Sequence, residues 1–315
     1  MLELSGKIGK YRILKKIGSG GFGTVYLVED TILKVNRAIK VPHKLGKAMD
    51  KILQESIVQT KLLDHPNIVK LLTVDIIDNI ILMVMEYIDG TDLETIIDNK
   101  NKLELKEALH YFRQILSALD YAHSNKIIHR DIRPSNILID KNNNIKITDF
   151  GTSRLLEDRQ YATTRIGSPP YMAPEQFEGK AVFASDIYSA GCLMYEMLTG
   201  FPPIIYANPM DIYRAAREGK FTPLRTKRQD VPIKLSNIVT KCLSPSLKSR
   251  YERVVDIIND LNQFENKTQD LEQEIQKIKT RIIAKQKTKE YTTCWKCKKT
   301  FLKKLKVCPY CGAEQ

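Results

Sequence analysis

The stretch that most constrains this chain is His129-Arg130-Asp131, followed by Asn136 and then by Asp149-Phe150-Gly151. Any fold the chain adopts has to bring two carboxylates and a carboxamide to one place. In phosphoryl transfer a protein mainly positions reactants and neutralises charge, and such a set does both. Asp131 is the candidate to accept or orient the proton of an attacking hydroxyl. Asn136 and Asp149 are candidates to ligate magnesium on the phosphates of a nucleotide, because that cation takes a few hard oxygen ligands besides phosphate. Read alone, these are three polar loop residues; further pieces, in matching order on both sides, make them a set.

Upstream, Gly18-Ser19-Gly20-Gly21-Phe22-Gly23 forms a glycine-rich turn between apolar runs. Glycines let a backbone approach phosphates that a Cβ would block. The same spacing opens dinucleotide-binding folds, which require a helix after the glycines. Here Thr24-Val25-Tyr26-Leu27-Val28 follows, a β-branched and aromatic run that predicts a strand. A strand–turn–strand lid over phosphates fits better. Lys40, in the next β-rich run Ala38-Ile39-Lys40-Val41, is then placed to grip the α- and β-phosphates. Elsewhere a lysine on a strand is ordinarily a solvated charge.

With these motifs the chain resembles the eukaryotic-type serine/threonine protein kinases, from about Tyr11 to about Phe264. Ala173-Pro174-Glu175 is similar to the element closing the family's activation segment. Gly167-Ser168-Pro169-Pro170-Tyr171 resembles its substrate-docking loop, and Asp186-Ile187-Tyr188-Ser189-Ala190-Gly191 the start of its large central helix. The resemblance implies an α+β, two-lobed fold with a small β-rich N-lobe, a hinge near Tyr87 and a large helical C-lobe. It implies ATP, magnesium (or manganese) and a protein substrate. Gly18, Gly20 and Gly23 would cover the phosphates, and Val25 and Ala38 the base. Met85, ending the apolar run from Ile80, would be the gatekeeper. The backbone of Glu86 and Ile88 would meet adenine, and Asp92 the ribose. Val25, Ala38 and Met85 also read simply as core, and a largely apolar pocket permits both. Asp186 would brace the catalytic loop, and Arg250 would pair with Glu175. Arg130 implies control by activation-loop phosphorylation, with Thr163 and Thr164 the candidates among Ser153, Tyr161, Thr163 and Thr164. Ser168 would touch Asp131.

Two positions depart from the family pattern. Where lysine usually meets the γ-phosphate, this chain has Arg133, which keeps the charge but is bulkier and forks onto oxygens. Glu55 is the carboxylate available to pair with Lys40, yet it lies one residue earlier, counted from His65-Pro66-Asn67, than the family spacing. These departures keep open a rival reading, a pseudokinase scaffold that binds nucleotide. A small-molecule phosphotransferase is a third, against which the docking segment from Gly167 to Glu175 argues.

A chain of 315 residues suits an N-terminal extension (1–10), a kinase domain (11–264) and a small appendage. No run reaches the ~18 apolar residues of a membrane span. The N-terminus lacks a signal's apolar core, so a cytoplasmic protein without membrane contact is expected. Cys192 and Cys242 lie in apolar helical surroundings and read as buried thiols.

Past Phe264 the pattern changes. Leu271, Ile275, Ile278 and Ile282 alternate at spacings of four and three, predicting a helical linker over 265–291. Its seam suits either a short coiled coil, giving a homodimer through 264–283, or a single helix laid on the kinase domain. Then Cys294-Trp295-Lys296-Cys297 and Cys308-Pro309-Tyr310-Cys311 present two paired thiols. Over 292–315 they resemble a zinc ribbon, with Cys294, Cys297, Cys308 and Cys311 closing a structural zinc site. A redox pair would need a thioredoxin-like context, and disulfides a secreted chain. From Glu265 onward there are 13 Lys and Arg against 6 Asp and Glu, so this tail carries +7 of the chain's +13. Lys296, Lys298, Lys299, Lys303, Lys304 and Lys306 crowd the cysteines, with Trp295, Phe301 and Tyr310 between them. Recruitment of a protein partner is the reading preferred here, with nucleic acid as the rival.

Overall fold

β-Branched and aromatic residues, broken by turns, divide the N-terminal part into strands. They are β1 (Lys7–Ile8), β2 (Tyr11–Ser19), β3 (Gly23–Asp30), β4 (Val35–Pro42), β5 (Leu71–Ile77) and β6 (Ile80–Glu86), all paired antiparallel in the order β1-β2-β3-β4-β6-β5. This computed structural model describes residues 6–19, 23–42, 56, 59–62, 64–150, 168–264, 277, 279–280 and 290–314. Side chains alternate across a sheet, so residues two apart share a face. Tyr26, Val28, Ile39, Val41, Leu82 and Val84 pack together on one face. Ala38, Ile81, Met83 and Met85 pack on the other, with Val25 against them. Lys40 shares the second face, being two residues from Ala38. Register sets Val25 opposite Lys40, Lys40 opposite Met83, and Ala38 opposite Met85.

The chain leaves this sheet at Glu86 and forms β7 (Gly90–Asp92), which pairs with β8 (Ile137–Asp140); β8 pairs in turn with β9 (Ile145–Ile147). Gly90 is required for this approach, because a Cβ there would lie 1.8 Å from the carbonyl oxygen of Ile139.

The C-lobe is helical: α1 (Leu93–Lys100), α2 (Leu105–Ser124), α3 (Pro174–Phe177), α4 (Phe183–Thr199), α5 (Pro209–Glu218), α6 (Leu224–Lys227) and α7 (Ile233–Cys242). In α2, Ala108, Tyr111, Phe112, Ile115, Leu116, Leu119 and Ala122 form one buried stripe at helical spacing. α4 differs, being buried from Ala184 to Leu198, and its polar members Ser185, Asp186, Ser189 and Glu196 are each hydrogen-bonded there. It forms the centre of the lobe. Gly191 allows its close approach to α7, since a Cβ there would stand 2.7 Å from Cβ of Cys242. Cys192 and Cys242 are free and buried, and burial raises both thiols well above their ordinary value. Among the described residues no helix is long and apolar enough to cross a membrane.

The chain divides into two units, Met1–Leu261 and Asn262–Gln315. In the second, β10 (Tyr291–Thr293) pairs antiparallel with β11 (Thr300–Leu302), and Phe301 is buried with Cys294 and Cys308. The linker seam of Leu271, Ile275, Ile278 and Ile282 lies outside the described residues.

The expected Glu175–Arg250 pair forms at 2.7 Å, with the Arg250 side chain fully buried. Arg250 also donates to the carbonyls of Ala184, Ser244 and Pro245, and Ser185 Oγ donates to Glu175. A guanidinium so satisfied ties α3 to the start of α4. Removing one partner strands a buried charge, which costs about 3–5 kcal/mol. Arg250→Ala and Glu175→Ala are each expected to lower unfolding free energy by that amount in urea titrations, and the double variant by clearly less than the sum.

Candidate active site and metal centre

The loop between α2 and β8 is fixed from below by a buried charge. Asp186, in the first turn of α4 and fully buried, accepts from the backbone N–H of His129 (2.9 Å) and of Arg130 (2.8 Å), and bonds His123 Nε2 at 2.8 Å. Burial alone would raise its carboxyl, but the bond and charge of His123 and the Arg130 amide hold it below the ordinary value. Arg130 has φ 72, which non-glycine residues rarely adopt, and its bonded N–H holds it there. The His129 ring accepts from the Asp131 N–H at Nδ1, so Nε2 carries the proton and donates to the Thr148 carbonyl at 2.9 Å. His129 also meets the Phe150 ring edge-on at 4.5 Å.

A 3-10 turn, Pro134–Asn136, then folds Asn136 back over Asp131. Asn136 Nδ2 donates to the Asp131 carbonyl at 2.7 Å and to its carboxylate at 2.9 Å. The Asn136 carbonyl takes the N–H of Thr148, next to Asp149. Asp149, at φ 64, meets Lys40 Nζ at 2.5 Å, so the β4 lysine reaches the opposite lobe. Asp131, Asn136, Asp149 and Lys40 are thereby brought together. With its amide nitrogen spent on Asp131, Asn136 presents Oδ1, and Asp149 adds carboxylate oxygen. That is the hard donor chemistry magnesium takes.

Above this group lies the second face of the sheet, with Ala38 and Met85 buried and Val25 and Ile88 beside them. Leu138 packs against the same cluster from the C-lobe. The sequence reading missed Leu138, although alternation was a usable signal: Ile137 and Ile139 turn into the lobe core, leaving Leu138 on the other face. Glu86 is fixed by bonds from the Lys70 N–H (2.9 Å) and Lys146 Nζ (2.8 Å), while its own N–H donates to Lys70. The Asp92 carboxylate caps α1, accepting from Thr95 N–H and Oγ1. Gly18 and Gly23 flank the glycine turn; Gly20 lies outside the described residues. So do Glu55, Ser153, Tyr161, Thr163 and Thr164.

Arg133 turns towards Glu94 of α1, with Nη2 3.5 Å from its carboxylate. Ser168 makes no hydrogen bond to Asp131 among the described residues; its carbonyl instead takes the Tyr171 N–H in a tight turn. The segment is anchored through Tyr171 and Ser189 of the quoted motifs and through two residues the sequence reading did not single out, Glu196 and Gln176. Tyr171 donates to Glu196 at 2.7 Å, and Ser189 Oγ donates to the Tyr171 carbonyl. Gln176 bridges from Ala173 to the Arg130 carbonyl. Burial pushes the Glu196 carboxyl up to about 7; the Tyr171 bond opposes this, Glu94 and Asp98 reinforce it, and Arg133 opposes it.

In the second unit the sulfurs of Cys294, Cys297, Cys308 and Cys311 all lie within 4.8 Å of one another. Cys294 and Cys311 are 3.7 Å apart, and Cys297 and Cys308 3.6 Å. Disulfide sulfurs stand ~2.05 Å apart, so these are four separate thiols. A tetrahedron with Zn–S bonds of ~2.3 Å has edges of ~3.8 Å, which the two pairs match. Burial would raise the Cys294 thiol, but the N–H groups of Cys297 and Lys296 outweigh it and bring it down to about 6. Cys311 moves the other way, to about 11; the Ala313 N–H lowers it, but burial and the neighbouring thiols prevail.

These features are those of the protein kinase domain. Over residues 11–302 the chain matches that family, to which it belongs. It is 37% identical to serine/threonine-protein kinase PrkC of Bacillus subtilis over 259 residues, covering 80% of this chain and 40% of that protein. It is 35% identical to the probable serine/threonine-protein kinase PknB of Lactococcus lactis, covering 80% and 41%. It is 34% identical to the carbon catabolite-derepressing protein kinase of Saccharomyces cerevisiae, covering 82% and 38%. The chain therefore carries a serine/threonine-type protein kinase domain and spans about two-fifths of the length of these curated relatives.

Glu196 also sets a pH dependence. Its folded-state value of about 7 exceeds the ordinary 4.5, so the folded chain binds this proton more tightly than the unfolded one. The associated stability is present at low pH and is lost as pH rises from 4.5 through about 7, on the order of 3 kcal/mol in all. Glu196→Gln, which never ionises, is expected to melt above the wild type at pH 8 and close to it at pH 5, as read by thermal unfolding at both pH values.

Proposed function

We propose that this chain is an ATP-dependent serine/threonine protein kinase that transfers the γ-phosphate to protein hydroxyls, itself included. The observation that carries the proposal is the Asp131–Asn136 contact, held beside the Lys40–Asp149 pair. Magnesium-ATP, when bound, supplies the transferable phosphoryl group. Asp131 then orients the incoming hydroxyl and takes its proton, with Asn136 fixing the carboxylate's direction. Asn136 Oδ1 and Asp149 hold the cation, and Lys40 holds the phosphates, with Glu55 as its partner. Gly18, Gly20 and Gly23 close over them. Val25, Ala38 and Met85, together with Leu138, sandwich the base, the backbone of Glu86 and Ile88 reads its edge, and Asp92 takes the ribose. Arg133 leaves Glu94 to meet the γ-phosphate.

The remaining parts of the proposal concern regulation and the tail. Phosphate on Thr163 or Thr164 would pair with Arg130 and order the activation segment. The kinase domain ends near 264, residues 265–291 form a helical linker able to pair two chains, and 292–315 form a zinc ribbon. That module is too small to fold on apolar burial alone, so the metal would supply its folding energy. The ribbon recruits a partner to the kinase. A nucleotide-binding scaffold is the second reading, favoured by the turn of Arg133 towards Glu94.

Purified protein with magnesium-ATP is expected to incorporate phosphate into itself or a generic acceptor protein. Asp131→Asn should reduce this by roughly 10²–10⁴ while leaving ATP binding intact. Mass spectrometry should place sites at Thr163 or Thr164. Wild-type protein that binds ATP but transfers nothing establishes the scaffold reading instead. Separately, one zinc per chain is expected by metal analysis, and a chelator that removes it should unfold residues 290–314, as read by hydrogen exchange.

A further inference from the structure

The cysteine module buries little and displays much. Phe301, Cys294 and Cys308 are its buried core, whereas Trp295 is 64% exposed and Tyr310 59%. Each ring is mounted within one of the two cysteine pairs, so drawing the four sulfurs together also brings the two ring-bearing turns together. Neither ring is held by burial. The Trp295 indole donates its N–H to the Glu314 carbonyl at 2.9 Å, which fixes the ring in plane and leaves its faces open. Lys299 Nζ stands 5.0 Å from the Tyr310 ring centre.

The surrounding charge is predominantly positive. From Glu290 to Glu314 there are six lysines against two glutamates. Glu290 is already neutralised by Lys303 at 2.8 Å. None of Lys296, Lys298, Lys299, Lys304 and Lys306 has a carboxylate partner among the described residues. Protein–protein interfaces enrich aromatic residues but deplete lysine. Surfaces for single-stranded nucleic acid combine both, taking phosphates with cations and bases on aromatic faces. Duplex suits two exposed rings less well, because its bases are already stacked on one another and offer no free face.

We propose that the cysteine module binds single-stranded nucleic acid, with bases stacked on Trp295 and Tyr310 and phosphates met by Lys296, Lys298, Lys299, Lys304 and Lys306. Recognition is by chemical class, not sequence, since every base offers a face. The inference rests on the zinc-ribbon reading and specifies its partner.

Trp295 is the chain's single tryptophan, so its fluorescence reports the proposed contact directly. The full chain, its zinc content measured in the same sample, is titrated with an oligothymidylate of about 15 nucleotides at several salt concentrations, following tryptophan emission and the anisotropy of a labelled strand. Quenching is expected, with affinity falling as salt rises at a slope near −0.7 for each phosphate met. Tyr310→Ala and Trp295→Ala should each weaken binding roughly tenfold without changing that slope, and Trp295→Phe should largely restore it. Lys298→Ala with Lys304→Ala should flatten the slope by about 1.4. Zinc-loaded protein that shows neither quenching nor anisotropy change at low salt overturns the inference and leaves the zinc site standing. Binding unaffected by both ring substitutions also overturns it. So does equal competition by polyglutamate without quenching, which would point to an acidic protein partner. Protein without zinc that still quenches overturns the ribbon reading alone.

Discussion

A single buried carboxylate organises the loop that carries Asp131. Asp186 sits in the first turn of α4, the helix around which the C-lobe packs, and would be costly to bury unpaired. Its bonds from His123, His129 and Arg130 remove that cost and dictate the path of the backbone above it. Everything further along depends on this path. The left-handed turn at Arg130 leads into Asp131, the His129 tautomer links the loop to Thr148, and Asn136 closes back on Asp131. The rigidity of the helix is passed to the loop through hydrogen bonds, so side chains on irregular backbone are positioned as if on a regular element.

The segment from Ser168 to Gln176 and the loop carrying Asp131 are joined as well. Gln176 holds the Arg130 carbonyl while Tyr171 and Ser189 tie the segment to α4, and Arg250 fastens Glu175 below. The loop that presents the candidate catalytic residue and the segment expected to present a protein substrate thus share one helical support.

What could be read from sequence followed from chemistry tied to order along the chain. Asp131, Asn136, Asp149 and Lys40 could be picked out because few other tasks call for those groups in that succession, and they do converge. The Glu175–Arg250 pair and the bracing role of Asp186 were legible on the same ground. Leu138 was marked by strand alternation alone, whereas Gln176 and Glu196 were not legible, since a glutamine and a helical glutamate carry no motif. Their places are set by which lobe or helix packs against them, which local pattern does not record. Ser168 was expected to touch Asp131; among the described residues its carbonyl takes the Tyr171 N–H and it makes no hydrogen bond to Asp131. The cysteine module was legible from spacing, whereas the orientation of its rings depends on bonds such as that from Trp295 to Glu314.

The Lys40–Asp149 pair bears on how a nucleotide would enter. Each residue is proposed to hold a component of magnesium-ATP, yet here each holds the other across the cleft. On that proposal, arrival of the cation and phosphates would be a change of partners, with Asp149 passing to the metal and Lys40 to the phosphate oxygens. Neither group would have to be stripped of its counter-charge and left waiting in a partly dry cleft. Association would then resemble a double-displacement of ions more than the filling of a vacant socket, and its affinity would reflect the difference between two paired states.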